Sequence, residues 1–119
     1  MAQVDSSVAR IIIRTKGGKR IVVDPQEIYY LDASEGDSVV RLRGRQEMID
    51  VRRLEELEAI LGRHGFLRIH RSYLVNLRRI AEIRTRGRDL EVRLTPPVNK
   101  ILPVSREAAA GLLAAYGEQ

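Results

Sequence analysis

The sequence contains no cysteine and no tryptophan among its 119 residues, and aromatic residues make up only 4% of it. Without cysteine, disulfide bonds, thiolate zinc sites, iron–sulfur clusters and a cysteine nucleophile are excluded. Because aromatic rings are so scarce, the core must be built from aliphatic side chains. The 44% of hydrophobic residues suffice for one compact domain, and the length leaves little room for a second.

Long hydrophobic runs are also missing. No stretch approaches the roughly 20 apolar residues that span a bilayer, and the N-terminus has no apolar signal core. We therefore expect a cytoplasmic protein with no membrane partner. Residues 1–9 are expected to form a flexible arm, a linker remnant or a cloning remainder, and residues 10–117 to form the domain.

Positive charge is abundant and unevenly placed. The 21 lysines and arginines oppose 16 acids, which gives a formal net charge of +5. Between Arg63 and Arg88 eight arginines stand against one acid, Glu82. The planar guanidinium can grip a phosphate or a guanine edge with two hydrogen bonds. This segregation of charge favours an anionic partner, with nucleic acid ahead of a membrane surface.

Short β-like runs separated by turn signals dominate the chain from Arg10 onward. Strands are expected at residues 11–13, 21–23, 28–31, 39–42, 48–51, 67–69, 80–83, 90–94 and 101–102. An apolar stripe of helical period predicts one mid-chain helix at Leu54, Leu57, Ile60 and Leu61. A second helix is expected over residues 106–116 with Ser105 as its N-cap. The pattern predicts a mainly β domain with eight or nine strands, a mid-chain helix and a C-terminal helix.

The sequence shows no catalytic constellation. The segment Lys16–Lys19 lacks the context of a phosphate-binding loop and is interpreted as a turn. His64 and His70 are six residues apart with no third metal ligand nearby. The run His70, Arg71 and Ser72 resembles a nucleophile with a base, but we expect residues 70–72 to lie along one strand, where adjacent residues point to opposite faces and do not form a relay. We therefore expect no enzyme, no metal and no cofactor.

Three ordered motifs resemble the LytTR DNA-binding domain family. Residues 66–80 (FLRIHRSYLVNLRRI) match its signature F-x-R-x-H-R/N-S-Y/F-x-V-N and the isoleucine-bearing strand that follows. Residues 24–33 (DPQEIYYLDA) resemble its tyrosine strand, and residues 102–106 (LPVSR) resemble its V-S-R element. The resemblance covers roughly residues 10–116. Asp32 replaces the family's glutamate, and Arg53 stands where a serine frequently precedes the mid-chain helix.

The resemblance implies an elongated stack of small antiparallel sheets that inserts loops, rather than a recognition helix, into successive major grooves. It also implies that the chain is the effector module of a bacterial transcription regulator, of the response-regulator type used in two-component signalling. Such modules bind double-stranded DNA at tandem half-sites, so a second copy of the domain on the DNA is an expected partner.

The resemblance also maps site residues onto this sequence. The implied base contacts are a loop position and two motif arginines, namely Asp37, Ser38, Arg71 and Arg106. The chemistry of the arginines agrees, because arginine to guanine is the commonest specific base contact. The candidates for phosphate contacts are Arg68, Arg78, Arg79, Arg86 and Arg88. The motif residues that we expect to be structural are His70, Ser72, Tyr73, Asn76 and Ser105.

A second interpretation is a β-rich interaction module whose arginines bind an acidic protein partner or RNA. A sheet that recognises RNA stacks bases on aromatic side chains. Tyr29 and Tyr30 are the available pair, and as strand neighbours they are expected to point to opposite faces.

Overall fold

The structure of the protein is a computed structural model that describes residues 9–44 and 46–118. The predicted arm therefore falls almost entirely outside the described residues. The molecule is elongated, with extents of 50 × 32 × 26 Å. Neither described helix has the length and hydrophobicity needed to span a membrane.

Strands dominate the described part of the chain. The first half contains, in order, β1 (Ile11–Arg14), β2 (Arg20–Val23), β3 (Ile28–Ser34), β4 (Asp37–Leu42), β5 (Glu47–Asp50) and α1 (Leu54–Leu61). The second half contains β6 (Phe66–His70), β7 (Tyr73–Asn76), β8 (Ile80–Arg86), β9 (Asp89–Leu94), β10 (Ile101–Val104) and α2 (Arg106–Ala115). Short 3-10 turns lie at residues 25–27, 62–64 and 77–79.

The strands form three small antiparallel sheets. A two-stranded sheet pairs β1 with β2, a five-stranded sheet has the order β5-β4-β3-β7-β6, and a three-stranded sheet has the order β10-β9-β8. The main-chain N–H of Val51 donates to the carbonyl of Arg14 at 2.9 Å, which ties the first hairpin to the edge of the five-stranded sheet. The main-chain N–H of Ser105 donates to the carbonyl of Ile69 at 2.8 Å, which ties the three-stranded sheet to the other edge.

Two aliphatic cores hold the sheets together. Helix α1 buries Leu54, Leu57 and Leu61 in the first core, beside the inward face of β1. The second core lies between the five-stranded and three-stranded sheets, and α2 contributes Leu112 to it. Fully burying one such side chain contributes about 1.5–3 kcal/mol, so an α1 stripe of three leucines is a sufficient reason for the helix to dock here.

The mainly β fold and both helices are confirmed, but one hairpin was missed. The prediction placed residues 70–72 along one strand, whereas Arg71 and Ser72 form the turn between β6 and β7. The imidazole Nδ1 of His70 accepts from the main-chain N–H of Ser72 at 3.1 Å, and this bond closes the turn. Hydrophobic periodicity does not register a side-chain-to-backbone turn of this kind, which is why the second strand of the hairpin, β7, was not predicted.

Candidate nucleic-acid interface

Arg71 lies at the tip of the turn between β6 and β7, and its side chain is exposed. Among the described residues its guanidinium has no acidic partner within 4.0 Å. The turn therefore projects one free arginine into solvent, where all five N–H donors are open to a ligand.

Arg68 holds the backbone of this turn. Its Nε donates to the carbonyl of His70 at 2.8 Å, and its Nη2 donates to the carbonyl of Arg71. Its Nη1 lies 3.1 Å from the carboxylate of Glu58 on α1. Most of the donors of Arg68 are thus used within the domain, and its phosphate contact stays a prediction. These contacts also give Glu58 of α1 a specific partner.

His70 supports the turn from its other side. Because Nδ1 is the acceptor from Ser72, the ring proton of the neutral imidazole must sit on Nε2. The ring centroid is 5.5 Å from that of Tyr73, and Tyr73 in turn meets Tyr30 edge-on at 6.2 Å. His70, Ser72 and Tyr73 thus have the contacts of structural residues that fix the shape of the turn.

The start of α2 lies beside the end of β6 because of the hydrogen bond between Ser105 and Ile69. Ser105 occupies the N-cap position, but its hydroxyl makes no capping hydrogen bond. Arg106 is the first residue of α2, and its side chain is 72% exposed. The first turn of a helix has free N–H groups and a partial positive charge, which adds to the positive potential of Arg106.

Three elements enclose a cleft of about 430 Å³ next to these arginines. Its polar lining comes from the end of β6, the hairpin of β8 and β9, and the start of α2, as His70, Arg86, Asp89, Glu91, Ser105 and Arg106. The Nε of Arg106 is 3.1 Å from Oδ1 of Asp89. No pattern in the sequence identified this acidic partner, which is 17 residues away along the chain.

Four arginines that were expected to contact phosphates remain to be placed. Arg78, Arg86 and Arg88 are exposed, and among the described residues none of them forms an ion pair. Arg79 differs, because its Nε and Nη2 donate to the carbonyl of Gln26 at 3.1 and 2.6 Å. Its guanidinium also lies 4.8 Å from the ring centroid of Tyr29. Arg79 thus ties two segments of the domain together, and its phosphate contact stays a prediction.

The implied loop contact is not supported by the geometry. Asp37 and Ser38 lie in β4 rather than in a loop, since the turn before them is only Glu35–Gly36. Ser38 is fully buried, and its hydroxyl donates to the carbonyl of Arg52 at 2.8 Å. In this arrangement the hydroxyl of Ser38 is used inside the domain, and its base contact stays a prediction without support from the geometry. Asp37 is partly exposed and pairs with Lys16 at 3.2 Å.

Asn76 is fully buried at the far end of β7. Its Nδ2 donates to the carbonyl of Ile28 at 2.9 Å, and its Oδ1 accepts from the main-chain N–H of Arg78 at 3.0 Å. These bonds satisfy backbone groups that would otherwise be unpaired in the interior.

Within the described residues no group of three or more histidines, aspartates or glutamates is arranged to hold a metal ion.

A second buried polar cluster lies away from these arginines and was not anticipated. Oδ1 and Oδ2 of Asp50 accept from the main-chain N–H groups of Arg52 and Arg14 and from the Arg52 guanidinium, at 2.8–3.0 Å. Burial alone would raise the pKa of Asp50, but these hydrogen bonds outweigh it and hold the pKa below its ordinary value. Arg52 also donates to the carbonyl of Ile12 at 2.7 Å, so this ion pair fastens β1 to β5.

Comparison with known proteins agrees with this geometry. The family model of the LytTr DNA-binding domain matches residues 18–117. Over 96 residues the chain is 38% identical to the sensory transduction protein LytT of Oceanobacillus iheyensis, covering 79% of this chain and 39% of that relative. The chain thus spans about two fifths of the length of this curated relative.

A solved structure shows the same fold. It is the LytTr DNA-binding domain of a protein described as a methyl-accepting/DNA response regulator from Bacillus cereus. The two share a TM-score of 0.74 at 24% sequence identity, over 91% of this chain and 96% of that chain. The resemblance first given by three short motifs therefore extends over nearly the whole domain. The chain belongs to the LytTr DNA-binding domain family.

Proposed function

We propose that this DNA-binding domain recognises a specific double-stranded sequence with two arginines on neighbouring elements, Arg71 and Arg106. Each would contact a guanine edge in a major groove, where one guanidinium can bond to both O6 and N7. The turn of β6 and β7 and the start of α2 would enter successive grooves. Asp37, which is shorter and already paired with Lys16, is at most a secondary contact in this proposal.

The observation that carries the proposal is the hydrogen bond between the main-chain N–H of Ser105 and the carbonyl of Ile69. It connects the residue before Arg106 to the strand that ends at the Arg71 turn. Two exposed arginines are thereby presented from one connected region of rigid backbone. Sites built on strands and helix ends hold their side chains in a defined relative position, which sequence readout requires.

Free arginines would supply the affinity, and Arg86 lines the same cleft as Arg106, whereas Arg78 lies beyond the far end of β7. Arg78, Arg86 and Arg88 are exposed and unpaired among the described residues, so they are the phosphate contacts of the proposal. Phosphate contacts release counterions, and log affinity then falls linearly with log salt, by about 0.9 per contact. We expect about three to five such contacts, fewer than the arginine count alone suggests, because Arg68 and Arg79 are used within the domain.

The interpretation of the domain as an RNA-binding module is not favoured, because it needs exposed aromatic side chains on which bases can stack. Tyr29 and Tyr30 are both buried in the second core, so neither can stack on an unpaired base.

DNA-binding modules of this family are not enzymes. We propose further that the domain serves a bacterial transcription regulator in the cytoplasm, at tandem half-sites that recruit a second copy.

The test compares Arg71 with Arg88, after the preferred site has been selected from a random duplex pool. Arg71→Ala should weaken binding to the selected site by about 1–3 kcal/mol and to random duplex much less. Arg88→Ala, the matched control in a flexible Gly-Arg-Asp turn, should weaken both duplexes alike and reduce the salt slope. Equal losses on both duplexes for Arg71→Ala would refute the base-reading role of that residue.

A further inference from the structure

Strand β8 is the longest edge strand of the described sheets, and its outer side has no neighbouring strand there. It pairs with β9 on one side only, from Ile80 to Arg86. Two other edges each carry a backbone hydrogen bond to a neighbouring element, since Val51 at the β5 edge donates to Arg14 and Ser105 donates to Ile69 at the β6 edge. An uncovered strand of seven residues offers a row of unpaired N–H and C=O groups to another strand.

The sequence of β8 is complementary to itself in one antiparallel register. If Ile83 faces Ile83 of a second copy, Glu82 faces the Arg84 of that copy, within the regular part of β8 that follows the irregularity at Ala81. The two-fold axis passes through Ile83, so the Glu82–Arg84 pair occurs twice. Opposite charges that face each other across an antiparallel pair are stabilising, and like charges are destabilising. No charged side chain of β8 faces a like charge in this register.

The charges on β8 are available for such a partner. Glu82 and Arg84 are each more than 40% exposed and lie only 3.6 Å apart within the strand. Their other ionic contacts, with Arg93 and Glu91, are 3.9 and 3.7 Å long. The contacts of Glu82 are exposed pairs that hold their side chains weakly, so Glu82 can turn towards a neighbouring strand. The carboxylate of Glu91 is only 11% exposed, so the long side chain of Arg84 must reach the neighbouring strand while staying beside Glu91.

An apolar groove of about 290 Å³ runs along the same strand. It is lined by Ile80, Ala81, Glu82, Ile83 and Tyr116. Tyr116 is 48% exposed, although its hydroxyl donates to the carbonyl of Leu77. A second strand beside β8 would cover part of this groove as well as the free backbone groups.

We propose that β8 is a self-association surface at which two copies of this domain pair their β8 strands antiparallel, with Glu82 of each against Arg84 of the other. The resulting six-stranded sheet would join the two three-stranded sheets. Because the strands run in opposite directions, the turns that carry Arg88 lie at opposite ends of the pair. The contact is small, so the dimer is weak and depends on concentration. The proposal does not rest on the proposed DNA interface.

Sedimentation of the full chain without DNA tests the pairing, over a concentration series that extends into the millimolar range. The parent should self-associate reversibly. Glu82→Arg and Arg84→Glu each place like charges opposite each other twice, and each should raise the dissociation constant about tenfold or more. An equimolar mixture of the two variants restores both opposite-charge pairs and should associate as the parent does. A damaged fold cannot produce recovery on mixing.

A cross-linking experiment tests the register independently. The chain has no cysteine, so Ile83→Cys introduces a single thiol on the proposed axis. Paired antiparallel residues have Cα atoms about 4.5–5.5 Å apart, which a disulfide can span. Mild oxidation should therefore yield a covalent dimer, whereas Val22→Cys, 63% exposed on another sheet, should not. A monomeric parent throughout the series, no recovery on mixing, or equal cross-linking of the two variants would each overturn the proposal.

Discussion

Arg68 binds the backbone of Arg71, three residues further along the chain, through the carbonyl oxygen at the tip of the turn. The same guanidinium donates to the carbonyl of His70 at 2.8 Å and pairs with Glu58 of α1. One arginine thus fixes the loop that presents another, and it is itself anchored to the helix behind it. The two arginines differ in role because one is enclosed by partners and the other is exposed.

This relationship predicts how Arg68→Ala should behave. Without the clamp the turn gains alternative conformations, so binding to the preferred site should weaken by about 1–2 kcal/mol. The dependence of log affinity on log salt should keep its slope, because no phosphate contact is removed. Duplex binding over a salt series measures both quantities. A slope reduced by about one unit, with equal losses on random duplex, would instead identify Arg68 as a phosphate contact.

His70 offers a matched pair of substitutions. Asparagine places an acceptor oxygen where His70 has Nδ1, so His70→Asn keeps the bond from the N–H of Ser72. Glutamine places its oxygen one atom further out and should not close the turn. We expect His70→Asn to retain site selection and His70→Gln to lose about tenfold in affinity for the preferred site. Equal binding by the two variants would show that the hydrogen bond to Nδ1 does not shape the turn that carries Arg71.

Asn76→Ala should lower stability rather than selectivity. The substitution leaves the carbonyl of Ile28 and the N–H of Arg78 without their partners in the interior, at a cost of about 1–3 kcal/mol. Denaturant unfolding measures this loss, with Gln46→Ala, at an exposed position outside the strands, as the control that should unfold like the parent. An Asn76→Ala variant of parental stability that no longer selects its site would make Asn76 a reader of DNA.

The buried carboxylate of Asp50 predicts a pH dependence of folding. Its pKa is held below the ordinary value of 3.8, so the ionised form stabilises the folded state at and above that value. As the pH falls through the lowered pKa of the folded state, this contribution is lost. Asp50→Asn should cost about 3 kcal/mol near neutral pH, because its amide would meet the donors of Arg14 and Arg52.

The difference in the free energy of unfolding between the parent and Asp50→Asn should therefore become smaller as the pH falls. Urea unfolding of both proteins at a series of pH values from neutral to acidic checks this. A difference in the free energy of unfolding that stays constant as the pH falls would contradict the role given to the charge of Asp50.

The sequence predicted the parts of the fold that depend on local patterns. The leucine stripe of α1 and the alternation in β9 are visible in the chain, and the three motifs identified the family. The β6–β7 turn was missed because its cause is one hydrogen bond from the N–H of Ser72 to the His70 ring. Hydrophobic periodicity does not contain that contact.

The candidate site was harder to predict because charge counts do not reveal partners. The sequence alone does not distinguish the arginines of one basic segment, such as Arg68, Arg79 and Arg88. In the fold the first reaches Glu58, the second reaches the carbonyl of Gln26, and the third is exposed in a turn. Ser38 was assigned to a loop because strand boundaries are uncertain by a few residues from sequence, and a shift of one residue separates a loop hydroxyl from a buried one.

The pairing of Arg106 with Asp89 leads to the last prediction. With the Nε of Arg106 held 3.1 Å from Oδ1 of Asp89, DNA must compete with a carboxylate for this arginine. Both side chains are more than half exposed, so the pair itself contributes little to stability. Asp89→Asn should therefore fold like the parent and bind the preferred duplex about two- to fivefold more tightly.

The gain should depend on Arg106. In an Arg106→Ala background the carboxylate has no arginine to restrain, so Asp89→Asn should add little to the affinity there. A double-mutant cycle from duplex binding of the four proteins at one salt concentration gives this coupling directly. If Asp89→Asn raised affinity by the same factor in both backgrounds, the carboxylate would act only by general repulsion of the phosphates. The restraint on Arg106 would then be refuted, and with it the idea that an acid 17 residues away tunes a reading arginine.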